Sequence, residues 1–214
     1  MKKKIVCIGN SITNGFPFKR SQSFPSLIRE ATGFEVINKG ENGETTAQVL
    51  ARFQHDVIDH KPDIVTILTG TNDFIFSLDT MGGAFEKIKE MVSLARTQDI
   101  SVLLLTPLLT VPEMAKAAWM TGSDIDYDKV NHQLIGLGSL IREYCADNQI
   151  HSSKENKLVN GTFQGQDIFS LDLQRLYRDY EEEIGTENAF HDGLHPTIEG
   201  QAFIADCVLK AFSF

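Results

Sequence analysis

The chain has 214 residues, 42% of them hydrophobic and 23% charged, which is enough to bury a substantial core in a single domain over residues 1–214. Acidic residues outnumber basic ones 29 to 20, and the resulting net charge of −9 excludes a nucleic-acid-binding face and argues against docking on anionic lipid. Three early lysines precede an apolar run, Ile5–Ile8. That run is too short for a signal-peptide core and ends in Asn10, Ser11 and Thr13. No other stretch approaches a membrane span, so the expected location is the cytoplasm without stable membrane insertion.

Short runs rich in β-branched residues alternate with longer segments of helical period. The predicted strands are Lys4–Ile8, Glu35–Asn38, Ile64–Thr69, Ser101–Thr106 and Ile168–Leu173. Between them, Leu50, Phe53 and Val57 recur at helical spacing, as do Phe85, Ile88, Val92 and Ala95. A longer helix is marked by Tyr127, Val130, Leu134, Leu137, Ile141 and Tyr144. The last, opened by Pro196, is marked by Ile198, Ala202, Ala205, Leu209 and Phe212. Such alternation predicts an α/β fold, a parallel sheet with right-handed crossovers and helices on both faces. Two stretches lack clear period. Leu108–Asp126 carries Met114, Trp119 and Met120 and reads either as a mobile cover over a site or as a packed surface excursion. His151–Asp167 reads as an exposed loop, and its Asn160-Gly161-Thr162 matches a glycosylation acceptor. Cys7, Cys145 and Cys207 sit inside apolar patterns and read as small buried hydrophobes.

Ligands bind open sheets of this kind beyond the carboxyl ends of the strands. Gly9–Gly15, Gly70–Asp73 and Ala189–Pro196 are expected there. In the first, a serine directly after a strand can present its hydroxyl and its N–H together. Ser11 is not in a G-x-S-x-G elbow, since position 13 is threonine. In the last, Gly193 permits a turn that returns the Asp192 carboxylate to one nitrogen of His195, leaving the other free to take a proton from a hydroxyl. Acyl transfer also needs donors for the oxygen that becomes negative. Gly43 can offer its N–H and Asn72 its side-chain amide, although each also fits an ordinary turn, and Asp73 reads as bracing its own loop.

These blocks, in this order, resemble the SGNH hydrolases, also called GDSL-type lipases and esterases. Gly9-Asn10-Ser11-Ile12-Thr13 is similar to their first block, Gly43 to the second, Gly70-Thr71-Asn72-Asp73 to the third and Asp192-Gly193-Leu194-His195-Pro196 to the last. The resemblance implies a flavodoxin-like three-layer αβα sandwich on a five-stranded parallel sheet, and no cofactor. It also implies serine-dependent hydrolysis of carboxylic esters, an acyl or acetyl ester of a small molecule, lipid or sugar, through an acyl-enzyme. Ser11 would be the nucleophile, His195 the base and Asp192 its partner, with Ser11, Gly43 and Asn72 forming the oxyanion hole. The departure is Asn10, where the family usually has aspartate.

Three rival readings compete. A flavin- or phosphate-binding protein would cradle phosphate with Ser11, Thr13 and Asn14 between Gly9 and Gly15, but leaves Asp192 and His195 without a task. A metal hydrolase would use His191 and His195 with Asp192 and Asp73, although Pro196 argues for a turn rather than a helix presenting ligands four apart. A non-catalytic carbohydrate-binding relative conflicts with the full set of reactive groups. Phe16, Phe18, Phe74, Ile75 and Phe76 flank the expected site as acyl-pocket or core residues. His55, His60, His132 and His151 read as surface or capping residues.

Overall fold

In the computed structural model, residues 3–119, 125–148 and 168–212 are described. The apolar runs become strands buried from both sides, since hydrophobic residues at consecutive positions face two layers of helices. β1 (Lys4–Gly9), β2 (Glu35–Gly40), β3 (Ile64–Leu68), β4 (Ser101–Leu105) and β5 (Ile168–Leu171) form one parallel sheet in the order β2-β1-β3-β4-β5.

After β1 come α1 (Ser11–Asn14) and α2 (Phe24–Thr32), and after β2 come α3 (Thr46–Ala51) and α4 (Phe53–Asp56). α5 (Thr71–Ile75) and α6 (Met81–Arg96) follow β3, and α7 (Pro112–Ala118) and α8 (Tyr127–Asn148) follow β4. α9 (Leu173–Ile184), α10 (Thr186–Ala189) and α11 (Ile198–Ala211) follow β5. On one face of the sheet Val6, Ile8, Val65 and Val102 pack with Phe53, Ile88 and Leu134; on the other, Ile5, Leu68 and Leu103 pack with Phe24, Tyr177 and Ile204. The result is the expected three-layer αβα sandwich. No helix among the described residues is long and apolar enough to cross a membrane.

Several boundaries differ from the sequence reading. β1 and β2 run on to Gly9 and Gly40, whereas β5 stops at Leu171 because Asp172 caps α9 through the Arg175 N–H. The period of Leu50, Phe53 and Val57 is carried by two short helices and a 3₁₀ turn (Ile58–His60), broken where Arg52 leaves helical geometry at φ −102. α2 and α9 were not marked by the sequence reading. Ala189–Pro196 follows α10 rather than a strand. In Leu108–Asp126, α7 occupies a stretch read as lacking helical period, and Leu108, Thr110 and Ala115 are buried, so this part is packed scaffold. Met120 and the whole of His151–Asp167, with its Asn160 acceptor, lie outside the described residues.

Gln201 ties three elements to the sheet edge that carries Ser11. Fully buried in α11, it accepts from the Phe24 N–H at 2.8 Å and donates through Nε2 to the Ile12 carbonyl at 3.0 Å. Gln201→Leu keeps the approximate volume but orphans one buried donor and one buried acceptor. At about 1–3 kcal/mol per unsatisfied group, a loss of roughly 2–6 kcal/mol is expected. For a chain of this size calorimetry should read it as a fall in Tm of roughly 4–24 °C.

Candidate active site

Ser11 opens α1 directly beyond β1. Asn10 caps that helix, its Oδ1 accepting from the Ile12 N–H at 3.3 Å, and both Asn10 and Ser11 are buried. The helix sits against the end of β2, where a Cβ on Gly40 would lie 2.1 Å from the Asn14 nitrogen, so only glycine fits. Asn38 completes the support, donating to the Thr13 carbonyl at 2.8 Å while accepting from the Gly40 N–H at 2.9 Å. Ser11 Oγ then lies 2.8 Å from His195 Nε2.

The turn that presents His195 is closed by its own carboxylate. Asp192 Oδ1 accepts from the N–H groups of Leu194 (2.9 Å) and His195 (2.8 Å), and its Oδ2 lies 2.7 Å from His195 Nδ1. Gly193, at φ +81, makes this turn possible, and a Cβ there would also meet the Ala115 nitrogen at 2.5 Å. The Gly193 carbonyl accepts from the Val111 N–H at 2.8 Å, and the His191 N–H donates to the His195 carbonyl at 2.8 Å. Burial raises the Asp192 pKa, but the hydrogen bond and charge of His195 and the two backbone donors outweigh it, and the carboxyl is held below its ordinary value. Phe16 (4.8 Å between centroids) and Trp119 (5.7 Å) pack against the His195 ring. A hydroxyl so placed can pass its proton to a ring whose other nitrogen is held by a carboxylate.

Asn72, in α5, is buried, and its Nδ2 donates to the Glu44 carbonyl at 2.9 Å. A carbonyl only accepts, which places the amide nitrogen on that side and leaves its second hydrogen available. Ser11, Asn72, Gly43 and His195 all line one cavity of about 350 Å³. Its wall is mostly apolar: Phe16, Ile75, Phe76, Trp119, Ile125 and Leu194. Phe18 and Phe74 are not among the lining residues. Phe18 lies edge-on to His191 at 5.4 Å, and Phe74 is 2% exposed within the core.

Sequence reasoning missed Ile125, Tyr127 and Leu194. Tyr127 reads as one more apolar position of α8, yet it lines the cavity and its buried hydroxyl has no hydrogen-bond partner among the described residues. Burial first, and then the charge of Asp192, raise its pKa.

The rival constellations do not assemble. Thr13 is fully buried, and Asn14 donates to the Gly40 carbonyl at 2.9 Å rather than facing a phosphate cradle. Asp73 accepts from the Thr46 N–H and hydroxyl, each at 2.9 Å, so it braces the start of α3 as well as its own loop. Among the described residues no group of three or more His, Cys, Asp or Glu side chains is placed to hold a metal.

An αβα sandwich on a five-stranded parallel sheet in the order β2-β1-β3-β4-β5 is an SGNH-type fold, and it brings Ser11, His195 and Asp192 together. Residues 7–203 match the GDSL-like Lipase/Acylhydrolase family, and the chain belongs to that family. Over 76 residues it is 34% identical to an arylesterase of Vibrio mimicus, covering 33% of this chain and 38% of that protein, so the match spans well under half of that relative's length. It is 23% identical over 182 residues to an acetylxylan esterase of Geobacillus stearothermophilus, covering 85% of this chain and 74% of that protein. A lipolytic G-D-S-L family member from Veillonella parvula DSM 2008 superposes with a TM-score of 0.75 at 17% identity, covering 99% of this chain and 98% of that one. At that identity the likeness concerns the fold.

The hydrogen bonds of Asp192 predict how the ring responds to an amide. In Asp192→Asn the backbone N–H groups of Leu194 and His195 claim the remaining carbonyl oxygen, so the NH₂ faces Nδ1. Nδ1 must then accept, and the neutral ring carries its proton on Nε2. Nitrogen NMR of His195 should show the Nδ1–H tautomer in wild type and Nε2–H in Asp192→Asn, with Tm changed by only a few degrees. The same tautomer in both proteins would contradict this geometry.

Proposed function

We propose that this protein hydrolyses carboxylic esters of small molecules through an acyl-enzyme on Ser11. The observation that carries the reading is the 2.8 Å contact between Ser11 Oγ and the ring nitrogen of a histidine whose other nitrogen faces a buried carboxylate at 2.7 Å. Oγ attacks the ester carbon as its proton passes to His195 Nε2. The carbonyl oxygen, now negative, is received by the N–H groups of Ser11 and Gly43 and by the Asn72 amide. As the tetrahedral species collapses, Nε2–H protonates the departing alcohol oxygen. Water then repeats the sequence, giving its proton to Nε2, attacking the acyl carbon and releasing the acid and the Ser11 hydroxyl. Asp192 keeps the Nδ1–H tautomer throughout and stabilises the transient imidazolium.

The cavity favours an apolar acyl group over a sugar, because hydroxyls inside these walls would lose water without gaining partners. The whole chain acts as one domain, needs no cofactor, and offers no basic face for nucleic acid at its net charge of −9. Its three cysteines are buried and unpaired, consistent with a reducing cytoplasm.

A fluorophosphonate probe should label Ser11 alone, and Ser11→Ala should lose about 10⁶ in kcat; labelling that survives the change would remove Ser11 from its role. Asp192→Asn should lose about 10⁴. Across p-nitrophenyl esters from acetate upward, kcat/KM should rise about fourfold per methylene, from ~0.8 kcal/mol each, until the cavity is filled. Acetylated sugars turned over faster than butyrate or hexanoate esters would overturn the assignment of an apolar acyl group.

A further inference from the structure

Four charged side chains, Lys39, Glu44, Arg52 and Asp56, form a network that the reaction as written does not use. Arg52 is its centre. Its Nε donates to Glu44 Oε2 at 2.7 Å, its Nη1 to Asp56 Oδ2 at 2.7 Å and its Nη2 to the Gly9 carbonyl at 3.0 Å. Asp56 is held in turn by Lys39 at 2.8 Å, the penultimate residue of β2. Two cations and two anions balance, and both pairs of Arg52 are mostly shielded from water, its own side chain being 17% exposed.

The attachment points coincide with the loops of the oxyanion site. Gly9 ends β1, and Ser11 follows two residues on. The Gly9 carbonyl also accepts from the Glu41 N–H at 3.1 Å, joining the end of β1 to the segment that holds Gly43. Glu44 is the residue after Gly43, and the Glu44 backbone carbonyl receives the Asn72 amide at 2.9 Å. An unbroken series of bonds therefore runs from the Ser11 loop through Arg52 to Glu44, and from Glu44 to Asn72.

We propose that Arg52 is a positioning residue for the oxyanion hole: with Glu44 it fastens the loops carrying Ser11, Gly43 and Asn72 into one rigid unit, so that their three donors converge on one oxygen. This rests on the ester-hydrolase reading. Donors from three separate loops help a transition state only if their spacing is set before the charge forms, because reorganisation during the reaction would spend the benefit. The guanidinium suits the task, since its planar fork directs three nitrogens to three partners at once. Lysine concentrates its three N–H donors on one nitrogen and cannot reproduce the spread by which Nε, Nη1 and Nη2 each meet a different partner.

Arg52→Lys, Glu44→Ala and Glu44→Gln, each alone and combined with Asn72→Ala, test this with kcat and KM on a p-nitrophenyl ester and Tm on each protein. A displaced donor loop should cost about 10- to 100-fold in kcat with KM within about twofold, for both Arg52→Lys and Glu44→Ala. Glu44→Gln, which keeps an acceptor for Nε, should stay within about threefold of wild type on the same reasoning. In the Asn72→Ala background, where only the Ser11 and Gly43 donors remain to be aligned, the same changes should cost several-fold less than in the intact protein, as expected of residues acting as a unit. Equal losses in both backgrounds, losses that track Tm, or full kcat in Glu44→Ala would each overturn the role. Should Arg52→Lys melt below the assay temperature, Glu44→Ala decides alone, since its side chain is already 21% exposed. An inactive wild type without Ser11 labelling would instead strike the ester reading itself, and with it this one.

Discussion

The Asp192 carboxylate accepts three hydrogen bonds within a single turn, and the geometry of the site follows from how those bonds are shared. One oxygen shapes the backbone by collecting two N–H groups, and the other orients the ring. The turn is thus folded and the ring oriented by the same group. Burial by itself would push this carboxyl toward its neutral form, but the donors around it reverse that tendency. A proton on Oδ2 of Asp192 would turn the acceptor facing Nδ1 into a donor and so reverse the tautomer of the ring. The Val111–Gly193 bond and the contact of Gly193 with α7 carry the constraint outward, so the connection after β4 supports the turn that presents His195.

Ser11 is fixed by a separate set of interactions. Asn10, Asn38, Gly40 and Gln201 hold the short helix that presents it, and each acts through a backbone group rather than through the hydroxyl. The two halves of the site are assembled from residues 184 positions apart and meet in one contact. Hydrogen bonds among these mainly buried groups are stronger for being shielded from water, and any one left unpaired costs more for the same reason. Apolar walls beside a polar floor fit the proposed chemistry, since charge developing on the bound oxygen is stabilised most by fixed donors where water is sparse.

The strands were legible because their residues are hydrophobic at consecutive positions, a pattern useful only between two layers. Their ends were less so: β5 was extended to Leu173 because nothing in the apolar pattern says that Asp172 caps a helix. α9 did leave a signal in Leu173, Leu176, Tyr177, Tyr180 and Ile184 at helical spacing, and that overextended strand hid it. The break at Arg52 was invisible to periodicity, since it serves a charged side chain and not the core. Within the site, Ser11, Gly43, Asn72, Asp192 and His195 were legible as short motifs. The cavity wall was not. Phe74 points into the core while its neighbours Ile75 and Phe76 line the cavity, a difference of one or two helical steps that neighbourhood in sequence cannot resolve. Ile125, Tyr127 and Leu194 reach the cavity only through packing between distant segments.

Asn10 stands where the resemblance leads one to expect aspartate, and its geometry shows what the position demands. Oδ1 accepts one hydrogen bond, from the Ile12 N–H, and so caps α1. An amide oxygen meets that demand as a carboxylate oxygen would, and asparagine and aspartate are about equal as helix caps. What differs is charge. Asn10 is 2% exposed and lines the same cavity as Ser11 and His195. A carboxylate there would add a buried anion beside the place where the proposed reaction builds negative charge on the substrate oxygen, and like charges in a shielded site repel strongly. The neutral cap therefore holds the Ser11 helix as a carboxylate would and, in the proposed reaction, spares the oxyanion one source of repulsion, while Asp192 remains the carboxylate that faces His195.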